Sequence, residues 1–165
     1  MSEYCILVAD ADRARIFTLE QPAVPEMESG PRLVEQQVDL INPEDSLPPE
    51  ERWSDSRPGG FAANSHVHGY DDHRGRHIEE NRLRFARQIT AQALRHAIDH
   101  HVKYLVVAAE KHMLGLLRQS ITLPPRSEIK VVEAAKDLAR LTPHEIQRHL
   151  ADEGLIPPQS RPAAT

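Results

Sequence analysis

Two short, unbroken apolar runs constrain this fold more than anything else in the chain: YCILVAD at residues 4–10 and KYLVVAA at 103–109. Neither approaches the roughly 18 consecutive apolar residues of a membrane span. Both are rich in strand formers and end against charged residues, so each reads as a buried strand. RIFTLE (15–20) alternates, with Ile16, Thr18 and Glu20 on one face and Phe17 and Leu19 on the other. The intervening ADRA suits a hairpin turn. After the Pro- and Gly-punctuated loop QPAVPEMESGP (21–31), RLVEQQVDLIN (32–42) reads as a third strand ended by Pro43.

The second half of the chain changes period. Between Ile78 and about His101 there is neither Pro nor Gly, and Leu83, Ala86, Ile89, Ala93, Ala97 and Ile98 recur at helical spacing. EKHMLGLLRQSI (110–121) predicts a second helix with Met113, Leu117 and Ile121 as its inner seam, stopped by Pro124-Pro125. EIKVVEA (128–134) reads as a fifth strand. Thr142-Pro143-His144-Glu145 then opens a last helix: Thr142 as cap, Pro143 at the first helical position, Glu145 where a capping box needs a carboxylate.

The predicted order is therefore β-β-β-α-β-α-β-α. Short links make the first three strands an antiparallel meander, and helical crossovers set the last two parallel to the first. That is a ribonuclease-H-like α/β fold, a mixed five-stranded sheet with helices packed on it. It predicts one domain over residues 1–152, a long polar loop at 43–77 before the first helix, and a flexible tail at 153–165. Loops that long are uncommon in compact domains and are usually functional or disordered.

Composition narrows the setting. The 165 residues are 39% apolar but only 4% aromatic, so the core must be built from Val, Ile, Leu and Ala. Cys5 is the lone cysteine and sits inside an apolar run, which predicts a buried thiol and no intrachain disulfide. The first residues have no basic segment ahead of the apolar run, unlike a signal peptide. The expectation is a cytoplasmic protein with no membrane span.

A net charge of −5 argues against a generally adhesive nucleic-acid binder, yet the charge is uneven. Residues 1–56 set 13 acids against 4 arginines, whereas residues 57–87 set 6 arginines against 4 acids and carry four histidines. Arg74, Arg76, Arg82, Arg84 and Arg87 could track a nucleic-acid backbone; a solvated helix face paired with Glu79, Glu80 and Asp99 explains them equally well. His66, His68, His73 and His77, with Asp71 and Asp72, supply ligand types for a divalent metal. A solvated polar loop is the preferred reading, since Gly75 argues against a helix early enough to align His73 with His77. No resident metal or other cofactor is expected. Trp53 reads as an anchor for the loop.

A different chemistry is also written at the strand ends. Asp10 closes the first strand, Glu79 or Glu80 opens the first helix, and Glu110 follows the fourth strand. A ribonuclease-H-like nuclease gathers carboxylates from those three places to hold Mg²⁺. Acids are equally common there because the helix macrodipole favours them, so the nuclease is the remote alternative.

ADADRARIF, RFARQITAQAL, YLVVAAEKHMLGLLRQSI and AAKDLARLTPHEIQRHL, in that order over about residues 3–150, resemble the bacterial host-attachment protein family, described as required for attachment to host cells. That family is similar in turn to the middle domain of archaeal and eukaryotic peptide-chain release factors. The resemblance implies a ribonuclease-H-like sheet and a Gly-Gly-Gln loop before a long basic helix, the loop that promotes peptidyl-tRNA hydrolysis. Gly59 and Gly60 would match the glycines and RLRFARQI the start of the helix. Phe61 stands where the glutamine would be, and Asn64 is the nearest amide. Phenylalanine can neither donate nor accept a hydrogen bond to a water, so the resemblance implies a ribosome or tRNA partner but not the hydrolysis. The expectation is a binding protein that is not an enzyme, working through residues 56–87. A non-catalytic protein-interaction module, affecting attachment indirectly, is the first alternative.

Overall fold

The computed structural model describes residues 2–36, 40–43 and 67–162, with side chains in the first helix from His73 onward. Its element order is β1 (Tyr4–Ala9), β2 (Arg13–Glu20), β3 (Arg32–Glu35), β4 (Leu40–Ile41), α1 (Val67–Asp99), β5 (Tyr104–Ala109), α2 (Lys111–Ser120), β6 (Lys130–Ala135) and α3 (Pro143–Asp152). The two apolar runs lie side by side: β1 and β5 pair in parallel, Cys5 opposite Leu105 and Leu7 opposite Val107. The sheet order is β3-β2-β1-β5-β6, with β4 also on β2. β2 is antiparallel to β1, β3 and β4, and β6 is parallel to β5.

The unbroken apolar character of β1 and β5 follows from helices on both faces of the sheet. Successive side chains point to opposite faces. Cys5, Leu7 and Ala9, with Leu105 and Val107, pack beneath α1 and α2 against Phe85, Ile89, Ala93, Met113 and Leu117. Ile6 and Val8, with Val106 and Ala108, pack on the other side against Ile146, Leu150 and Ile156. β2 is likewise buried on both faces from Ile16 to Leu19. Burying one such large aliphatic side chain contributes about 1.5–3 kcal/mol, so these layers dominate the favourable side of folding. Cys5 is the buried thiol the sequence predicts, and burial pushes its pKa up to about 12, which makes the thiolate inaccessible near neutrality.

The sheet has six strands where five are expected. In an unbroken ladder the register of β3, with Phe17 opposite Glu35, would set residue 38 opposite Ala14. Leu40 stands there instead. The run therefore holds two residues more than β2 can pair, and it divides into β3 and β4.

The first helix is longer than its apolar stripe. It begins at Val67 rather than Ile78 and contains Gly69 and Gly75. A glycine costs a helix about 1 kcal/mol relative to alanine but does not stop it. Proline does, and there is none between Pro58 and Pro124. The stripe is also wider than the expected set, since Asn81, Phe85, Thr90 and Leu94 are buried with it, whereas Ile98 is 43% exposed. The helix stops where His101 takes a positive φ of 52° and the Val102 N–H bonds back to the Ala97 carbonyl, a Schellman-type end.

The third helix starts as its sequence predicts. Thr142 Oγ1 accepts from the Glu145 N–H at 3.2 Å, and Glu145 Oε2 accepts from the Thr142 N–H at 2.9 Å. The described chain after it is docked as far as Ser160: Ile156 is buried, and Ser160 and Gly30 exchange two backbone hydrogen bonds of 3.0 and 3.1 Å. Ile156 fills the apolar layer beneath α3, which a composition-based reading of a Pro-rich tail overlooks.

Candidate functional site

The parallel strands β1, β5 and β6 end at the same edge of the sheet. In α/β sheets that edge is where ligands are commonly received, because loops rather than ladder bonds occupy it. Here it forms a cleft of about 620 Å³ between the β1–β2 turn, the first turn of α2, the β6–α3 link and Arg82 of α1. Asp10, Asp12, Glu110, His112, Asp137 and Arg140 also line it.

Backbone amides hold two of those carboxylates. Asp10 Oδ1 accepts from the Asp12 and Arg13 N–H groups, each at 2.8 Å, which locks the tight turn into β2. Glu110 caps α2, its Oε2 accepting from His112 N–H at 2.9 Å and its Oε1 from Met113 N–H at 2.6 Å. Burial alone would raise the Glu110 carboxyl, but those two amides and the nearby His112 and Arg82 charges together hold it below the usual carboxylate range. Arg140 reaches over the turn, Nη2 3.4 Å from Asp12 Oδ2 and Nε 3.9 Å from Asp10 Oδ2.

Arg82 is the exception in this cleft. Among the described residues its Nε is the buried side-chain polar atom that has no hydrogen-bond partner. A buried donor left unpaired costs about 1–3 kcal/mol, so its retention in a cleft wall is a feature to be explained. Beside it, His112 Nε2 lies 2.9 Å from Glu79 Oε2, tying α1 to α2 across the cleft mouth.

The sequence-derived candidates divide between this cleft and the outer side of α1. Asp10 and Glu110 come together in the cleft; Glu80 is exposed on α1 outside its lining, whereas Glu79 reaches the cleft mouth through its contact with His112. Among the described residues no group of three His, Cys, Asp or Glu is placed to hold a metal ion. His73 and His77 do share a helical face four residues apart, because α1 begins early despite Gly75; both are exposed. The His68 side chain is not among those described, and Gly59, Gly60, Phe61, Asn64 and His66 lie outside the described residues.

The arginines part company. Arg82 faces the cleft, while Arg74, Arg76, Arg84 and Arg87 are exposed on α1, with Arg95 further along. At 3.6 residues per turn, Arg76, Arg84, Arg87 and Arg95 fall within about a third of the helix circumference, and Arg74 lies off that stripe. Glu80 falls on that stripe among them, and Asp99 stands one turn beyond Arg95. Sequence reasoning missed His112, Asp137 and Arg140 as cleft residues. Their signal was position, since each stands within a few residues of a strand end that the pattern already predicts.

Among the described residues no helix is long and apolar enough to cross a membrane. A family model described as "Protein required for attachment to host cells" matches residues 5–150. No curated protein matches the chain.

Proposed function

The chain belongs to the family of proteins required for attachment to host cells, and from that premise we propose that it is a non-catalytic binding protein that engages RNA of the translation apparatus, ribosome or tRNA. One observation carries the reading: a continuous helix of 33 residues that turns Arg76, Arg84, Arg87 and Arg95 outward along one stripe. At 1.5 Å per residue such a helix is about 50 Å long, enough to follow a phosphate backbone over several nucleotides. The sheet order, with its second strand antiparallel to the first, supports the ribonuclease-H-like reading of the scaffold. Attachment to host cells is then an indirect consequence of what the protein does to translation.

Cosedimentation with purified ribosomes over a salt series tests this. Each phosphate contact contributes about 0.7–0.9 to the slope of log affinity against log salt. Replacing Arg76, Arg87 and Arg95 together by alanine should weaken pelleting at least tenfold and flatten that slope by about 2. The thermal midpoint should stay put, since all three side chains are exposed. Pelleting that is absent in the intact chain, or unchanged in the triple variant, sinks the reading.

A further inference from the structure

We propose that the cleft at the ends of β1, β5 and β6 is a binding site for a small, free sugar phosphate, held at its anionic group by Arg82 and at its hydroxyls by Asp12 and Asp137. This goes beyond the RNA-binding reading, because it uses a different surface and none of the outward arginines.

The volume comes first. About 620 Å³ suits a small metabolite, and it opens where three parallel strands end. Chemistry narrows the class. Arg82 lines the wall with a guanidinium whose fork geometry matches phosphate, and its Nε, buried out of reach of solvent, has no hydrogen-bond partner in the protein. Arg140 adds a second cation at the rim, over Asp10 and Asp12. The carboxylates do not simply repel such an anion. Asp10 and Glu110 already accept backbone N–H groups, which places their charge against amide dipoles. Asp12 and Asp137 at the rim are acceptor-only groups, suited to donors such as sugar hydroxyls. A ligand that is anionic at one end and rich in hydroxyls at the other satisfies both sets. A bare anion satisfies only the arginines, and a neutral sugar only the acids.

The experiment titrates the full chain with ribose 5-phosphate by calorimetry, with inorganic phosphate, ribose and a 5′-phosphorylated oligoribonucleotide as the other arms. Ribose 5-phosphate should bind at least tenfold more tightly than phosphate or ribose alone, and should shift the amide resonances of His112 and Met113. Arg82→Gln should weaken it at least tenfold; Asp137→Asn, an exposed change that keeps the fold, should weaken it several-fold. Triple replacement of Arg76, Arg87 and Arg95, which tests the RNA reading, should leave this affinity unchanged. No binding at millimolar ribose 5-phosphate, equal binding of inorganic phosphate, or insensitivity to both cleft variants overturns the proposal. Equal or tighter binding of the oligonucleotide overturns the assignment to a free small molecule.

Discussion

The two halves of α1 are one helix under two different physical regimes. From Asn81 to Ala97 it buries Asn81, Phe85, Ala86, Ile89, Thr90, Ala93, Leu94 and Ala97 against β1, β5 and α2. From His73 to Glu80 every described side chain is exposed or half-exposed, and Glu79 reaches His112 at the start of α2. The anchored half is helical because tertiary packing rewards it; the other half is helical because extending an existing helix avoids the cost of nucleating a new one. The contrast teaches that a single element can be anchor at one end and presenting surface at the other. The outward arginines span both halves, so the anchored part fixes the direction in which the unanchored part offers them.

The sharpest way to break that comparison is to remove the same side chain from each half. Ile89 is fully buried, so Ile89→Ala should lose about 2–5 kcal/mol through lost burial and a residual cavity. Ile78 is 36% exposed, and Ile78→Ala should cost well under about 1 kcal/mol. Chemical denaturation of both variants provides the check. Equal losses would mean that the early turns of α1 are packed after all, and the two-regime account would fail.

The same contrast explains what was legible in the sequence. Wherever packing imposes a period, the pattern was readable: the runs that became β1 and β5, the stripe through Leu83, Ala86, Ile89, Ala93 and Ala97, and the capping box of α3. Val67 to His77 carry no apolar period, the described side chains from His73 to His77 are exposed, and two glycines read as loop signals. The division of the third strand was invisible because it depends on register against β2, a non-local quantity. At the cleft, Asp10 and Glu110 were readable from their strand ends, but not that backbone amides would hold them. Arg82 looked like its neighbours in sequence; only the helical phase turns it inward while Arg84 and Arg87 face out.

A smaller effect tests the seam between the halves, where α1 passes the first turn of α2. Glu110→Ala removes the cap that satisfies the His112 and Met113 amides. The loss should be about 0.5–1 kcal/mol at neutral pH, the low end for a cap because Glu110 is exposed and water screens its charge. Its carboxyl is held below the ordinary value in the folded protein, so the stabilisation is complete above the unfolded pKa of about 4.3. It is lost as pH falls through the lowered folded value. The gap between parent and variant should therefore close on acidification, and a gap that widens there would contradict the capping role.

The last test belongs to the unanchored half, and it discriminates most finely. A Cβ added at Gly75 would meet nothing within 4 Å, and the residue sits inside α1. Gly75→Ala should then favour the helix by about 0.8–1 kcal/mol, the intrinsic difference between the two residues. Where that gain is read decides the issue. If the early turns open independently of the sheet, the substitution slows amide exchange at residues 73–80 and leaves the thermal midpoint unchanged, because the segment is already open in the last step of global unfolding. If the two halves melt as one unit, the full gain appears in the global transition and exchange slows along the whole helix. The first outcome makes the outward arginines of the early turns an adjustable surface on a fixed base, and the second makes α1 a single rigid rod that presents them at a set angle.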